Sequence, residues 1–212
     1  MTTTLLVRHG ENDYVKKGRL AGRLPGVHLN ENGHKQAEAL AASLSKAPIK
    51  AVYSSPLERT METAKPVAHN LGLKVIPREG LLEVDFGDWQ DKTLKSLRHH
   101  KLWEIVQNRP TMVRFPGGET FTEAQQRVVQ EIDALSKLHK PENMIVCVSH
   151  SDLIKLAVAH YLGLSLDLFQ RLVIAPASIT TLHVNKHNAH LINLNYSPAI
   201  LFPIPREPRE KA

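Results

Sequence analysis

The chain has 212 residues, a length that fits one compact domain and can bury a sizeable core without disulfides. Hydrophobic residues make up 42% of it, and no apolar run approaches the roughly 20 residues of a membrane helix, so we expect no membrane partner. The net charge is +6, but basic residues are spread along the chain and only 5% of residues are aromatic. This distribution argues against a nucleic-acid partner and favours attraction of small anionic substrates.

Cys147 is the single cysteine and lies in an apolar run, so it cannot form an internal disulfide and is expected to be an inert core residue. The segment that follows Met1 lacks the basic and apolar regions of a secretion signal. These features favour a reducing compartment, and we expect a cytoplasmic protein.

Short apolar runs alternate with helical patterns along the chain. Four runs are predicted to be strands that end at polar loops: Thr3–Val7, Lys50–Ser54, Leu73–Pro77 and Met144–Ser149. Helices are predicted from a cap at Asn30 through Leu44, over Ser55–Leu71 with a kink at Pro66, over Thr122–Leu138, and over Ser151–Leu162. The last elements are predicted to form a hairpin, Ser178–Val184 with His190–Asn195.

This alternation predicts an α/β fold with a largely parallel central sheet. We predict a single domain over residues 1–202, with a helical insertion at about 86–120 that acts as a lid, and a disordered tail at 203–212. The insertion contains Trp103, which we expect to pack, together with Leu102, between the lid and the sheet.

Polar side chains follow each of the four predicted strands. Arg8 and His9 come directly after the first strand, and Arg59 lies one turn into the helix after the second. Glu83 ends the connector after the third strand, and His150 follows the fourth. Because ligands of open α/β sheets bind beyond the carboxyl ends of the strands, we expect these five side chains to meet.

These residue types suit phosphoryl transfer. Two guanidinium groups can hold a phosphate monoester through charge-assisted hydrogen bonds, each worth roughly 1.5–3 kcal/mol. A neutral imidazole can attack phosphorus, and a second, protonated imidazole can offset charge on the transferring oxygens. A carboxylic acid can protonate the departing alkoxide and then activate water, a contribution of about 10²–10⁴ in rate.

Five segments resemble, in order, the motifs of the histidine phosphatase superfamily, also called phosphoglycerate mutase-like, in its small bacterial phosphatase branch: Leu6–Glu11, Ser54–Thr60, Glu83–Trp89, Phe115–Thr120 and Val148–His150. The resemblance implies a three-layer α/β/α fold with helices on both faces of the sheet. It makes His9 the phosphate acceptor and Glu83 the proton donor. Arg8, Arg59 and His150 complete the implied phosphate pocket, and the resemblance implies no metal and no cofactor.

Two positions depart from the family pattern. Where the family often has threonine and, three residues later, asparagine, this chain has Asn12 and Val15. Asn12 can still donate to a phosphate oxygen but Val15 cannot, so one hydrogen bond of the pocket is expected to be lost or replaced. Gly18, Arg19 and Gly22 match the family's next segment, which makes Arg19 a candidate substrate contact.

Several of these residues also have ordinary structural interpretations. Arg59 could form a surface ion pair with Glu58 or Glu62, and Glu79 and Asp85 compete with Glu83 as the proton donor. Three further candidate substrate contacts are more simply explained as solvated surface charges: Lys17, Arg23 and Arg114. Three histidines of the predicted hairpin would be spaced like metal ligands only if this segment were a helix: His183, His187 and His190. We therefore expect them to be surface residues.

The predicted function is hydrolysis of a small phosphate monoester through a phosphohistidine on His9, with Glu83 as proton donor. Phosphoglycerate mutase-type transfer is an alternative, although the short insertion and the segment Phe115–Thr120 favour hydrolysis. An inactive phospholigand-binding module is a further alternative, but the presence of both His9 and Glu83 argues against it. The physiological substrate and the oligomeric state stay open, although similar proteins are commonly homodimers.

Overall fold

A mixed sheet forms the centre of the structure, a computed structural model that describes residues 1–185 and 188–197. Its strands are β1 (Thr2–Arg8), β2 (Ile49–Ser54), β3 (Val75–Pro77), β4 (Met144–Ser149), β5 (Ile179–Val184) and β6 (Ala189–Tyr196). They lie in the order β3-β2-β4-β1-β5-β6, with the first four parallel and the last two antiparallel. The predicted α/β class, the largely parallel sheet and the terminal hairpin are confirmed. The predicted tail 203–212 lies outside the described residues.

The α-helices of the described residues are α1 (Asp13–Lys16), α2 (Glu31–Leu44), α3 (Glu58–Asn70), α4 (Leu94–Leu97), α5 (Trp103–Asn108), α6 (Phe121–Leu138) and α7 (Ser151–Tyr161). Within the same residues, no helix is both long and apolar enough to cross a membrane. Asn30 caps α2 as predicted, because its side chain accepts a hydrogen bond from the Gly33 N–H. Thr120 and Glu123 form a reciprocal capping box that begins α6 at Phe121.

Two predicted boundaries are wrong by two or three residues. The helix expected from Ser55 begins at Glu58, because Leu57 keeps extended backbone angles (φ −67°, ψ 145°) as the N-cap residue. The strand expected from Leu73 begins at Val75, because the Leu73 N–H is used by the Ala68 carbonyl at the end of α3. Both errors fall where capping interactions, which apolar patterns do not report, decide the end of an element.

The alternation of side chains along the strands divides the core between the two faces of the sheet. In β1, Leu5 and Val7 pack with α2 and α3, whereas Leu6 packs with α6 and α7. In β4, Val146 faces the first pair of helices and Cys147 the second. This arrangement confirms the three-layer α/β/α fold and places Cys147 in the core, as predicted.

The segment 86–120 consists of α4, α5 and short 3₁₀ turns, and it packs aromatic rings against the α6 side of the core. Phe115 lies at the centre of this packing, with ring centroids 5.0–5.3 Å from Phe86, Trp89 and Phe121. Trp103 stacks on Trp89 with centroids 6.4 Å apart. The insertion is thereby attached to the body of the protein through a buried aromatic contact.

The register of the parallel strands brings the predicted site residues together. Arg8 pairs with Ser149 across β1 and β4, and the His9 N–H donates to the Ser149 carbonyl at 3.0 Å. On the other side of β4, the Ser55 N–H donates to the Val148 carbonyl at 2.9 Å. The chain therefore leaves β1, β2 and β4 at neighbouring points of one sheet edge.

The loop after β1 is supported by the first turn of α2 through a close backbone contact. A Cβ added at Gly33 would lie 2.0 Å from the Glu11 carbonyl oxygen, and one added at Gly10 would lie 2.7 Å from the Gly33 carbonyl oxygen. The Asn30 N–H also donates to the Glu11 carbonyl at 3.0 Å. The absence of side chains at both glycines lets α2 approach the residues next to His9.

We expect Gly33→Ala to lower the free energy of unfolding by about 1–3 kcal/mol, because its methyl group has no room beside the Glu11 carbonyl. This sign is opposite to the usual gain of about 1 kcal/mol when alanine replaces glycine inside a helix. Chemical denaturation followed by circular dichroism measures the change. Asn32→Ala, at an exposed position of the same turn, should change the value by less than about 0.5 kcal/mol. Equal stability of Gly33→Ala and wild type would contradict the close contact.

Candidate active site

A cleft of about 430 Å³ opens at the carboxyl ends of β1, β2 and β4. Arg8, His9, Arg59 and Glu83 line it, and His150 is fully buried next to His9. The two imidazole rings meet edge to face, with centroids 5.4 Å apart. The structure therefore brings together the five residues that the strand ends suggested.

The His9 ring has one defined tautomer. Its Nδ1 lies 2.7 Å from the Gly10 carbonyl oxygen, which can only accept a hydrogen bond, so Nδ1 carries the proton and Nε2 has a free lone pair. Burial lowers the pKa of His9 well below its usual value, and the nearby charges of Arg59 and Arg8 lower it further. Near neutral pH, the ring is an uncharged base with Nε2 available for bonding.

The guanidinium groups of Arg8 and Arg59 are held in place by backbone carbonyls. Arg8 Nη1 donates to the Ile174 carbonyl at 2.6 Å, and Arg59 Nη2 donates to the Gly22 carbonyl at 2.7 Å. Arg59 is 1% exposed, so the surface ion pair with a neighbouring glutamate is wrong. Among the described residues, Arg8 Nε, Arg59 Nε and Arg59 Nη1 have no hydrogen-bond partner although each atom is buried. Buried donors without acceptors mark this end of the cleft as a site for an anion.

Asn12 combines a structural contact with a free donor. Its Oδ1 accepts a hydrogen bond from the Val15 N–H at 2.8 Å and so caps α1. Its Nδ2 is buried and has no partner among the described residues. Asn12 therefore retains the donor that the sequence analysis assigned to it, while Val15 contributes only an apolar side chain to the cleft wall.

His150 differs from the sequence-based expectation of a protonated imidazole. Its Nδ1 lies 3.2 Å from Arg59 Nη2, which can only donate, so the proton of the neutral ring sits on Nε2, 2.9 Å from Ser55 Oγ. Burial first, and then the charge of Arg59, lowers the pKa of His150 well below its usual value. Near neutral pH His150 is therefore uncharged.

Glu83 is one of two carboxyl groups that line the cleft, and Asp152 is the other. The Glu83 side chain is 12% exposed, its Oε2 lies 3.9 Å from His150 Nδ1, and its Oε1 accepts from the Val84 N–H at 2.9 Å. Burial and the charge of Asp152 raise the pKa of Glu83 to about 7, although Arg59 and Arg8 act in the opposite direction. The carboxyl group is thus poised to give up and take back a proton near neutral pH.

Comparison with known proteins agrees with this geometry. Residues 4–197 match the histidine phosphatase superfamily (branch 1). The chain belongs to the histidine phosphatase superfamily. It is 30% identical to phosphoserine phosphatase 1 of Hydrogenobacter thermophilus over 197 residues, which cover 92% of each chain.

Two further histidine phosphatase relatives show the range of reactions among similar proteins. The 2,3-bisphosphoglycerate-dependent phosphoglycerate mutase of Thermoplasma acidophilum is 30% identical over 189 residues, which cover 87% of this chain and 88% of the mutase. The structure of a mycobacterial glucosyl-3-phosphoglycerate phosphatase in complex with VO3 superposes with a TM-score of 0.83 at 28% identity, covering 92% of this chain and 99% of that one. These comparisons confirm the expected family and phosphatase class.

Of the other charged candidates of this histidine phosphatase, one lines the cleft and three lie outside it. Arg19 lines the cleft, where its Nη2 donates to the side chain of Asp91 at 2.6 Å. Lys17 and Arg114 form ion pairs at exposed positions and do not line the cleft. Arg23 lies outside the cleft as well, but it is half-buried and bonded to the Glu83 carbonyl, so neither a substrate contact nor a solvated charge describes it.

The competing carboxylates and the hairpin histidines lie away from the reacting groups. Glu79 is exposed, and Asp85 accepts a hydrogen bond from the Gly87 N–H, so neither enters the cleft. His183 and His190 pair across β5 and β6, and His187 lies outside the described residues. Within residues 1–185 and 188–197, no three acidic, cysteine or histidine side chains group as metal ligands.

Sequence reasoning missed two contributors to the site. Ser55 contacts His150 through its hydroxyl group, and Asp152 lines the cleft in the first turn of α7, where its charge raises the pKa of Glu83. Asp152 follows His150 by only two residues at a helix N-terminus, a position that could have identified it.

We expect Glu83→Gln to raise the melting temperature relative to wild type at about pH 8 and to have little effect at about pH 4.5. The folded-state pKa of Glu83, about 7, exceeds its ordinary value of 4.5, so ionisation of this group opposes folding. The destabilisation by ionised Glu83 is absent below pH 4.5, grows between the two pKa values and is complete above about pH 7. A glutamine at this position cannot ionise and therefore removes it.

Thermal unfolding of both proteins across this pH range measures the difference. Glu38→Gln, at an exposed position of α2, is the matched control and should shift the melting temperature equally at both pH values. A Glu83→Gln difference that does not change with pH would contradict the raised pKa.

Proposed function

We propose that this phosphatase hydrolyses a small phosphate monoester in two steps, through a covalent phosphohistidine on His9. The observation that carries the proposal is the combination of a free Nε2 lone pair on His9 with buried, unpartnered donors on Arg8, Arg59 and Asn12. A phosphate dianion would satisfy those donors and present its phosphorus to the imidazole.

In the first step, His9 Nε2 attacks phosphorus in line with the bond to the leaving oxygen. The N–P bond forms, the P–O bond breaks, and the proton of the Glu83 carboxyl group passes to the departing alkoxide. Arg8 and Arg59 offset the charge of the transferring oxygens without reorganising, because both are already anchored to backbone carbonyls.

In the second step, water attacks phosphorus while the Glu83 carboxylate accepts its proton. The N–P bond breaks, His9 regains its lone pair, and inorganic phosphate leaves with Glu83 protonated again. A pKa near 7 supports both roles, because the acid and its conjugate base are then both accessible at neutral pH.

His150 supports the same reaction from behind the nucleophile. Its Nδ1 accepts from Arg59 and lies near Glu83 Oε2, so a bound phosphate oxygen would approach this edge of the ring. A dianion there favours protonation of His150, which could then donate to the transferring group. We propose that His150 changes from neutral to charged when substrate binds.

The proposed substrate is a small organic phosphate, consistent with relatives named for phosphoserine and glucosyl-3-phosphoglycerate. Beyond the phosphate end, the cleft wall contains Leu94, Trp103 and Gln107 from the segment 86–120, so we propose that this segment covers the leaving group as a lid within one domain. A cytoplasmic location, a homodimer and the absence of a metal requirement stay predictions.

We expect His9→Ala to abolish hydrolysis of p-nitrophenyl phosphate, because the variant lacks the Nε2 lone pair that attacks phosphorus in the proposed first step. The assay is run with a metal chelator, which should leave wild-type activity unchanged. His34→Ala, an exposed histidine on α2, is the matched control and should retain activity. Activity that survives in His9→Ala, or wild-type activity that the chelator removes, would contradict the mechanism.

Phosphoglycerate mutase-type transfer is the second candidate, favoured by the 30% identity to the Thermoplasma enzyme. The two functions differ in the fate of the phosphohistidine, which water removes in a phosphatase but which persists until an acceptor binds in a mutase. We expect rapid loss of the label after a brief reaction with ³²P-labelled substrate, and release of free phosphate in the presence of 3-phosphoglycerate. A long-lived label that moves to added phosphoglycerate would favour the mutase.

A further inference from the structure

The turn at residues 115–119 is bonded to the segment that carries Glu83. The Glu119 N–H donates to the Asp85 carbonyl at 3.0 Å, and the Asp88 N–H donates to the Pro116 carbonyl at 2.8 Å. A Cβ added at Gly118 would lie 2.3 Å from the Asp85 carbonyl oxygen, so the contact needs glycine there. The two segments therefore form one hydrogen-bonded unit.

Glu119 collects three donors on one carboxylate oxygen. Its Oε1 accepts from Arg23 Nη2 at 2.9 Å, from Arg127 Nη2 at 2.8 Å and from the Asp85 N–H at 2.9 Å. The side chain of Glu119 is 17% exposed and does not line the cleft. Its charge offsets two half-buried guanidinium groups, and it does so without reaching the substrate.

Both arginines also hold the backbone that leads to Glu83. Arg23 Nε donates to the Glu83 carbonyl at 2.8 Å, and Arg127 Nη1 donates to the Leu82 carbonyl at 2.8 Å. A third contact runs from Arg127 Nη1 to the Gly80 carbonyl at 3.1 Å. Glu119 thus orients two cations whose other donors fix three carbonyls of the Glu83 segment.

We propose that Glu119 is a positioning residue for Glu83, acting through Arg23 and Arg127. The inference rests on the proposed function of Glu83 as proton donor. The carboxyl group of Glu83 must lie within hydrogen-bond reach of the leaving oxygen, and displacement by about 1 Å can cost about 10²-fold in rate. Without Glu119, the two arginines lose their shared anchor and the segment can shift.

The test compares two substrates that differ in their need for an acid. Glycerol 2-phosphate releases an alkoxide that requires a proton, whereas p-nitrophenyl phosphate releases a stable phenolate that needs little help. We expect Glu119→Ala to lower kcat/KM, which reports the steps up to cleavage of the P–O bond, by about 10²-fold for glycerol 2-phosphate and by less than about tenfold for p-nitrophenyl phosphate. Inhibition by inorganic phosphate should be unchanged, because Arg8, Arg59 and Asn12 are untouched.

Three further variants make the result decisive. Glu119→Gln keeps an acceptor oxygen and should partly restore the lost rate. Arg127→Lys keeps the positive charge but loses the paired guanidinium donors. It should show the same substrate dependence and replaces Glu119→Ala if that variant folds poorly. Asp133→Asn removes a half-buried carboxylate that accepts from the Tyr161 hydroxyl group away from the cleft, and it should affect both substrates equally.

Glu83→Gln distinguishes the proton-donor function of Glu83 from the positioning function of Glu119. If Glu83→Gln lowers kcat/KM, which reports the steps up to cleavage of the P–O bond, equally for both substrates, the proton-donor function of Glu83 is wrong. If Glu83→Gln is selective for the alkyl substrate but Glu119→Ala and Arg127→Lys lower both rates equally, the positioning function alone is overturned. Selective loss in all three variants supports the inference.

Discussion

Two guanidinium groups are buried beside two imidazole rings, with donors that no acceptor in the described part of the chain satisfies, and the rest of the site follows from this arrangement. Burial of the His9 ring, and then the charges of Arg59 and Arg8, lower the pKa of His9, so the ring is uncharged near neutral pH. Burial, and then the charge of Asp152, raise the pKa of Glu83 even though the arginines act in the opposite direction. An incoming dianion would satisfy these unpaired donors, so the cleft favours binding of an anionic group.

The fold makes this arrangement possible through strand register. Adjacent parallel strands β1 and β4 end at paired residues, so His9 and His150 leave the sheet side by side. Glycines at positions 10 and 33 let α2 support the loop after β1 from one side. On the other side, Ser149 Oγ donates to the Leu81 carbonyl at 2.8 Å and links the end of β4 to the Glu83 segment.

The sequence alone predicted the class of fold and that five site residues would meet, because each directly follows an apolar strand, lies in the first turn of the next helix or ends a short connector. It did not predict the neutral state of His150, which depends on burial and on Arg59, a residue 91 positions away. It also left Arg23 as a surface charge or substrate contact, because its partner Glu119 is 96 positions distant. Such long-range pairings have no periodicity in the chain, whereas strands and helices do.

The hydrogen bond between His9 Nδ1 and the Gly10 carbonyl has a regiochemical consequence. An imidazole offers two nitrogens to an electrophile, and a freely rotating ring could react at either. Here the carbonyl of the neighbouring peptide binds one of them, and the backbone of α2 packs against that residue at Gly33. Any phosphoryl group that His9 accepts must therefore be bonded to Nε2, so the adduct is a single positional isomer set by the backbone.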